Sequence, residues 1–150
     1  MHLFLVRLLL AAQLMPFVTP ASADDAADVA RGWGLVGTWA MDCAKPPKKG
    51  EGNTISYEVS SSGGLIYRRD FDAADSNEVI EARVEPDHTL VLSIAMPQFN
   101  QIRENGIAMQ ADGGIHSVFS RGQDGTYTIR NSRFVANGKP TTTLRKCKTE

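Results

Sequence analysis

Apolar and polar residues alternate along several stretches of this chain, with the period of two that is typical of a strand buried on one face. The most regular stretch is residues 88–96, where Leu90, Leu92, Ile94 and Met96 share one face. Similar stretches, separated by turn residues, predict strands at 35–43, 53–60, 65–71, 78–85, 88–96, 107–111, 115–120, 126–135 and 139–147.

Proline and asparagine-glycine pairs mark the turns between these strands. Asn105-Gly106 and Asn137-Gly138 are each expected to form a type I′ hairpin turn, because both residue types tolerate a positive φ. Pro97 leaves the strand count open. If it marks a bulge, residues 98–103 continue the preceding strand and the count is nine; if it marks a true turn, the count is ten.

The pattern therefore predicts an all-β fold. We expect an antiparallel meander of about nine strands that closes as a small barrel, with a two-sheet sandwich as the alternative. Residues 24–31 precede the first strand and predict a short helix, since their acids come first and Arg31 comes last. No longer helical pattern follows it.

The first 23 residues have the features of a signal peptide. Arg7 precedes an apolar run, and Ala21-Ser22-Ala23 is a small-residue pattern that a signal peptidase accepts. A retained membrane helix is the alternative, but Pro16 and Pro20 interrupt a run shorter than the roughly 20 apolar residues that span a bilayer. We expect residues 1–23 to be removed and residues 24–150 to form one periplasmic or secreted domain.

The composition excludes several classes of partner. After removal of residues 1–23, the remaining 127 residues carry 15 Lys and Arg against 17 Asp and Glu, a net charge of −2. The one basic cluster, Lys45, Lys48 and Lys49, lies among prolines and glycines and is expected to be a solvated loop. We therefore expect neither a nucleic-acid partner nor a membrane span after cleavage.

Two cysteines, Cys43 and Cys147, lie 104 residues apart without the spacing of a redox or zinc motif. In an oxidising compartment an even pair usually closes, so we expect a disulfide, with two buried free thiols as the alternative. Cys43 ends the first predicted strand and Cys147 ends the last. Those ends meet in a meander with an odd number of strands, so the bridge favours nine strands or a last segment that leaves the sheet.

Gly37-x-Trp39, on the first strand after a short helix, resembles the entry motif of the lipocalins. In that family the tryptophan plugs one end of a barrel and an arginine near the last strand packs on it. The resemblance implies a calycin-like barrel in which Trp39 is structural and Arg145 is the counterpart of that arginine. It also implies that the barrel interior holds a small apolar ligand or is filled by its own side chains.

The remaining candidate residues point to binding rather than catalysis. Tyr57, Met96, Met109 and Phe119 are expected to line a ligand cavity, together with Phe99, because methionine and aromatic residues favour adaptable binding surfaces. The same residue types also fill ordinary cores.

No catalytic or metal site is predicted, and no cofactor is expected. His88 and His116 are the only histidines after residue 23, and neither lies in a catalytic motif. Asp70, Asp72 and Asp75 crowd one turn with Asn77, but their spacing is not that of a calcium loop.

We therefore expect a non-enzymatic exported protein that binds a small apolar ligand. The alternative is a protein-binding module such as a periplasmic protease inhibitor, because bacterial metalloprotease inhibitors resemble the predicted single-disulfide barrel in architecture. That alternative assigns the contact to residues 24–34 or to the Pro46-Pro47 loop.

Overall fold

A single curled sheet makes up most of the computed structural model, which describes residues 23–147. The sheet is an antiparallel meander that forms an open half-barrel, and one short helix, α1 (Ala23–Trp33), precedes it. The predicted signal peptide lies outside the described residues except for Ala23. The strands are β1 Gly37–Ala40, β2 Thr54–Val59, β3 Leu65–Arg69, β4 Ser76–Val84, β5 Leu90–Met96, β6 Gln101–Met109, β7 Ile115–Gly122, β8 Tyr127–Arg130, β9 Arg133–Phe134 and β10 Arg145–Lys146.

Helix α1 packs on the concave face of the sheet, against β3 and β4. Ala26, Ala27 and Ala30 are almost fully buried, and their small side chains let the helix approach the strands closely. The Trp33 indole N–H donates to the carbonyl of His88, at 2.9 Å, which ties the end of the helix to the β4–β5 turn. Within residues 23–147, no helix is both long and apolar enough to cross a membrane.

Trp39 is the largest fully buried side chain and joins the first strand to the last. Its indole N–H donates to the Leu35 carbonyl at 2.7 Å, and the Lys146 ammonium lies over its ring, 5.3 Å from the centroid. Gly37 leaves room for that lysine, because a Cβ there would lie 2.9 Å from Lys146 Cε.

The residue that packs on the Trp39 ring is therefore Lys146, which lies opposite Trp39 in the β1–β10 pair. Arg145 pairs with Ala40 and forms an ion pair with Asp112 at 2.9 Å.

The C-terminal segment contacts two strands that are far apart in the meander. Arg145 and Lys146 pair with β1, while Leu144 exchanges two backbone hydrogen bonds with Ile115 of β7, at 2.8 and 2.9 Å. Leu144 is also buried in the core. One short segment thus lies between the first and seventh strands.

Within the described residues the strand count is ten, and it arises differently from either predicted count. Pro97–Phe99 forms a 3-10 turn between β5 and β6, so of the two alternatives left open at Pro97 the turn is confirmed and the bulge is wrong. The strand predicted at 126–135 is split by Asn131 and Ser132, which both adopt a positive φ. Since left-handed residues in pairs form tight hairpin turns, these two residues separate β8 from β9.

The hairpin turn predicted at Asn105-Gly106 is also wrong, because both residues lie inside β6. Gly106 pairs with Phe119 of β7, and a Cβ on Gly106 would lie only 2.3 Å from the Phe119 ring. The glycine therefore serves to admit an aromatic ring across the strand pair rather than to turn the chain.

The predicted disulfide between Cys43 and Cys147 is confirmed, with a Cα–Cα distance of 5.4 Å. The odd number of strands that we inferred from this bridge is wrong. β10 runs antiparallel to β1, and the Cys147 N–H donates to Thr38, near the start of β1, at 2.8 Å. Five extended residues after Thr38 would span roughly 16 Å, so the chain must turn back after Ala40 to bring Cys43 to its partner.

Reduction of the disulfide is expected to lower the free energy of unfolding by about 2–5 kcal/mol, because the bridge constrains a long loop of the unfolded chain. Denaturant unfolding with and without a reducing agent measures the change. The double substitution Cys43→Ser, Cys147→Ser is the control, since its stability should not respond to reductant. Equal stability of the oxidised and reduced wild-type chain would contradict a stabilising role for the bridge.

Gly106→Ala is expected to destabilise the fold by about 1–3 kcal/mol, because the new methyl group overlaps the Phe119 ring. Phe119→Ala should lower the free energy of unfolding by less in the Gly106→Ala background than in the wild type. A double-mutant cycle measures this difference. Gly32→Ala is a matched control, since a Cβ there meets nothing within 4 Å. If Gly106→Ala leaves stability unchanged, the close packing of Gly106 and Phe119 is refuted.

Candidate ligand cavity

The concave face of the half-barrel has two ends of different character. Around α1 it is filled by a core that includes Leu35, Leu65, Val79 and Leu90, each fully buried. At the opposite end it opens into a cavity of about 550 Å³. The interior is therefore neither wholly filled nor wholly hollow.

The wall of the cavity is formed by inward-facing side chains from β2, β3, β5, β6, β7 and β8. On β6, every second residue points inward because it lies opposite an inward-facing residue of β5: Gln101 opposite Met96, and Arg103 opposite Ile94. Further along the same face, the residues become apolar and join the core. The same strands thus form the polar wall at one end and part of the apolar core at the other.

Arg103 extends from β6 across the cavity toward β7 and β8. Its guanidinium donates to Ser120 Oγ at 3.2 Å, to the Ser120 carbonyl at 3.3 Å and to Thr128 Oγ1 at 2.9 Å. A longer contact of 3.4 Å reaches Gln101 Oε1. All of these acceptors are neutral, so the bonds fix the direction of the side chain without neutralising its charge.

Asn105, next along the inward face of β6, has a buried amide oxygen with no hydrogen-bond partner within the described residues. An unpaired buried acceptor costs about 1–3 kcal/mol relative to a paired one.

The second arginine of the cavity, Arg69 on β3, is neutralised. Its Nε donates to Asp75 Oδ2 at 2.6 Å. Asp75 Oδ1 also accepts from Asn77 at 3.1 Å, and the Asn77 amide oxygen accepts from Gln98 at 2.9 Å. This chain of bonds joins β3, β4 and the 3-10 turn after β5 into one rigid edge of the cavity.

The acidic turn after β3 uses its carboxylates to hold the loop before β2. Asp70 accepts from the backbone N–H groups of Gly52 at 2.7 Å and Thr54 at 3.2 Å. Asp72 pairs with Lys49, and this hydrogen bond is the main reason that the pKa of Asp72 is lowered. Within residues 23–147 no group of acids, histidines or cysteines has the arrangement of a metal site.

Three exposed apolar side chains surround the mouth of the cavity. Met41 follows β1, Phe99 lies in the 3-10 turn before β6, and Phe134 lies on β9; they are 53, 58 and 38% exposed. They come from separate elements, so no single segment of the sequence shows them as a group. We call these three residues the apolar rim.

The structure separates the four residues predicted to line the cavity. Met96 lies on its wall. Tyr57 is buried beside Tyr67, with ring centroids 5.6 Å apart. Met109 is largely exposed at the end of β6, and Phe119 lies on the outer face over Gly106. Phe99, the fifth residue considered, belongs to the apolar rim.

Sequence reasoning missed Arg103 and Asn105, the two most distinctive polar groups of the wall. The signal was available, since Gln101, Arg103, Asn105 and Ile107 alternate in the period of a strand. It was hidden by the interpretation of Asn105-Gly106 as a turn. The two histidines after residue 23 do not line this cavity: His88 lies in the β4–β5 turn, and His116, on β7, pairs with Ala108 of β6.

The outer face carries an ionic network that is distinct from the cavity. Glu104 of β6 accepts from Arg83 of β4 at 3.1 Å and from Arg121 of β7. The hydrogen bond from Arg121 is the largest of the effects that lower the pKa of Glu104. Half-exposed pairs of this kind contribute little to stability, so the network chiefly fixes side-chain positions over the convex face.

Comparison with known proteins leaves the family open: no known family matches the sequence, and neither a curated protein nor a solved structure matches it. The likeness to lipocalins rests on Gly37-x-Trp39 and on the curled antiparallel sheet.

Burial raises the pKa of Tyr67 to about 12 and that of Tyr57 well above its ordinary value. The unfolded chain ionises near pH 10, so the stability that the neutral Tyr67 contributes is complete below pH 10 and is lost as the pH rises toward 12. At pH 11 the loss due to Tyr67 is about 1 kcal/mol. Tyr67→Phe should therefore lose less stability than the wild type between pH 9 and 11 in denaturant unfolding. Equal losses would contradict the burial of a neutral Tyr67.

Proposed function

We propose that this protein is a non-enzymatic, exported binding protein that holds a small apolar or amphipathic ligand in the open end of its β-barrel. The observation that carries the proposal is the cavity of about 550 Å³ opposite α1. Pockets that bind small molecules usually have volumes of roughly 300–1,000 Å³ and a few polar groups that fix orientation.

The lining of the cavity supports binding of an amphipathic molecule. Met96, Ile55 and Ile129 offer apolar surface, while Arg103 offers a hydrogen-bond donor. The apolar rim extends the apolar surface to the mouth. A ligand that contacts both regions would cover exposed apolar side chains.

Closure of the sheet as a barrel is part of this proposal. The bonds of Leu144 to Ile115, and of β10 to β1, support it because they link the C-terminal segment to both sides of the gap. A wall continuous around the cavity would keep the ligand out of water over most of its surface. The disulfide supports the exported location, since such bonds persist in oxidising compartments.

A protein-binding module of the protease-inhibitor kind is the second candidate. It is favoured by the apolar rim and by the exposed loop 41–50, which contains Pro46 and Pro47. Residues 24–34 are a poorer contact than the sequence suggested, because α1 uses Ala26, Ala27 and Ala30 to cover the core.

Titration with N-phenyl-1-naphthylamine, a neutral dye that fluoresces in apolar surroundings, tests the proposed function. The wild-type protein should bind one dye molecule with saturable fluorescence. Ser117→Trp should abolish the signal, because Ser117 lies on the cavity wall and the indole would fill the space. His116→Trp is the matched control, since the neighbouring residue points to the other face of the strand.

Two results would refute ligand binding in the cavity. One is an absence of saturable dye binding to the folded wild-type protein, which would favour the protein-binding candidate. The other is equal binding by both tryptophan variants, which would place the dye elsewhere on the molecule.

A further inference from the structure

We propose that the natural ligand is an amphipathic organic anion, whose carboxylate or similar acidic group pairs with Arg103 while its apolar part lies toward the rim. This inference rests on the proposed function, since it names the chemical class of ligand for the same cavity. It is carried by the balance of charges around the cavity and by the position of its apolar side chains.

Arg103 is the cationic side chain of the cavity wall that no carboxylate of the described chain neutralises. Within the described residues it forms no ion pair, and its four hydrogen-bond acceptors are hydroxyl, carbonyl and amide oxygens. Arg69 of the same cavity is paired with Asp75. The acidic residue of the wall, Glu51, is paired with Lys48 at 2.7 Å. The protein thus supplies one guanidinium to the cavity without a carboxylate to match it.

The neighbouring Asp124 does not fill this role. It lies in the turn after β7 and accepts from the backbone N–H and the hydroxyl of Thr126, at 2.9 and 3.0 Å. The hydrogen bond from the Thr126 backbone is the largest cause of its lowered pKa, and the attraction of Arg103 is the smallest of the causes. Asp124 is therefore engaged with its own turn rather than with the guanidinium.

The guanidinium is also held in place before any ligand arrives. The hydrogen bonds that it donates to Ser120 and Thr128 fix its plane between β7 and β8, so an incoming anion needs little reordering of the side chain. Nη1 keeps donor capacity for an anion, because its contact is the longer one to Gln101 Oε1 at 3.4 Å, while Nε and Nη2 donate to Ser120 and Thr128. A carboxylate at Nη1 would accept a charge-assisted hydrogen bond.

The apolar part of the ligand is assigned to the rim by the same geometry. Arg103 lies along β6 between the core and the mouth, while Met41, Phe99 and Phe134 surround the mouth itself. An anion bound at Arg103 would therefore direct an attached hydrocarbon chain outward over the rim. The rim is apolar and exposed, whereas Met96 is buried, so an alkyl or aromatic group would cover the rim.

Competition between matched ligands tests the inference. Decanoate and 1-decanol have the same chain, and only decanoate is an anion. Each should displace N-phenyl-1-naphthylamine from the cavity, and we expect decanoate to do so at roughly tenfold lower concentration, the ratio typical of one added charge-assisted hydrogen bond. In Arg103→Gln this advantage should disappear: the ratio of the two displacing concentrations, measured within that variant, should fall to about one. Arg103→Lys should retain part of it.

Arg130→Gln is the matched control, because Arg130 is an exposed cation over the Tyr127 ring on the outer face. It should keep the full advantage of decanoate. If the dye binds but decanoate is no better than decanol, the anion inference fails and the proposed function stands. If Arg130→Gln loses the advantage as well, or Arg103→Gln keeps it, Arg103 is not the anion site. If the dye does not bind the wild type at all, the proposed function fails first.

Discussion

Helix α1 is too short to cover the whole concave face of the sheet. The interior therefore has a filled end beside the helix and an open end beyond it. Its 11 residues span about 16 Å, whereas the nine residues of β6 span about 30 Å. Near the helix, inward-facing residues such as Leu90 and Ile107 are apolar and buried. Beyond it the same strands carry Arg103 and Asn105, because no other element of the described chain seals that end.

The filled end fixes the geometry of the open end. Trp39 joins β1 to Leu35 and to Lys146, so the first and last strands are held together close to the helix. The disulfide adds a covalent link beside the same pair of strands. Because the wall strands continue from this core, side chains at the open end are carried on rigid elements. Such support is what a binding site needs to keep a guanidinium in one orientation.

The alternation of the sequence predicted the fold class well but could not resolve features that depend on contacts between distant residues. In the sequence, Gly106 follows Asn105 and is therefore interpreted as a turn residue. Only the position of Phe119 shows that Gly106 instead makes room for an aromatic ring. The split at Asn131 and the placement of Lys146 on Trp39 likewise depend on strand register. The charge of Arg103 is visible in the sequence, but the lack of a matching carboxylate is a property of the folded molecule.

The most direct test of the two-ended interior is a ¹H–¹⁵N NMR spectrum recorded during titration with N-phenyl-1-naphthylamine. The structure predicts that shift changes concentrate on backbone amides of the cavity wall, in 101–105 and 117–120, while amides of 26–30 in α1 remain unchanged. Changes confined to the outer face around Tyr127, or spread evenly through the core beneath α1, would contradict it.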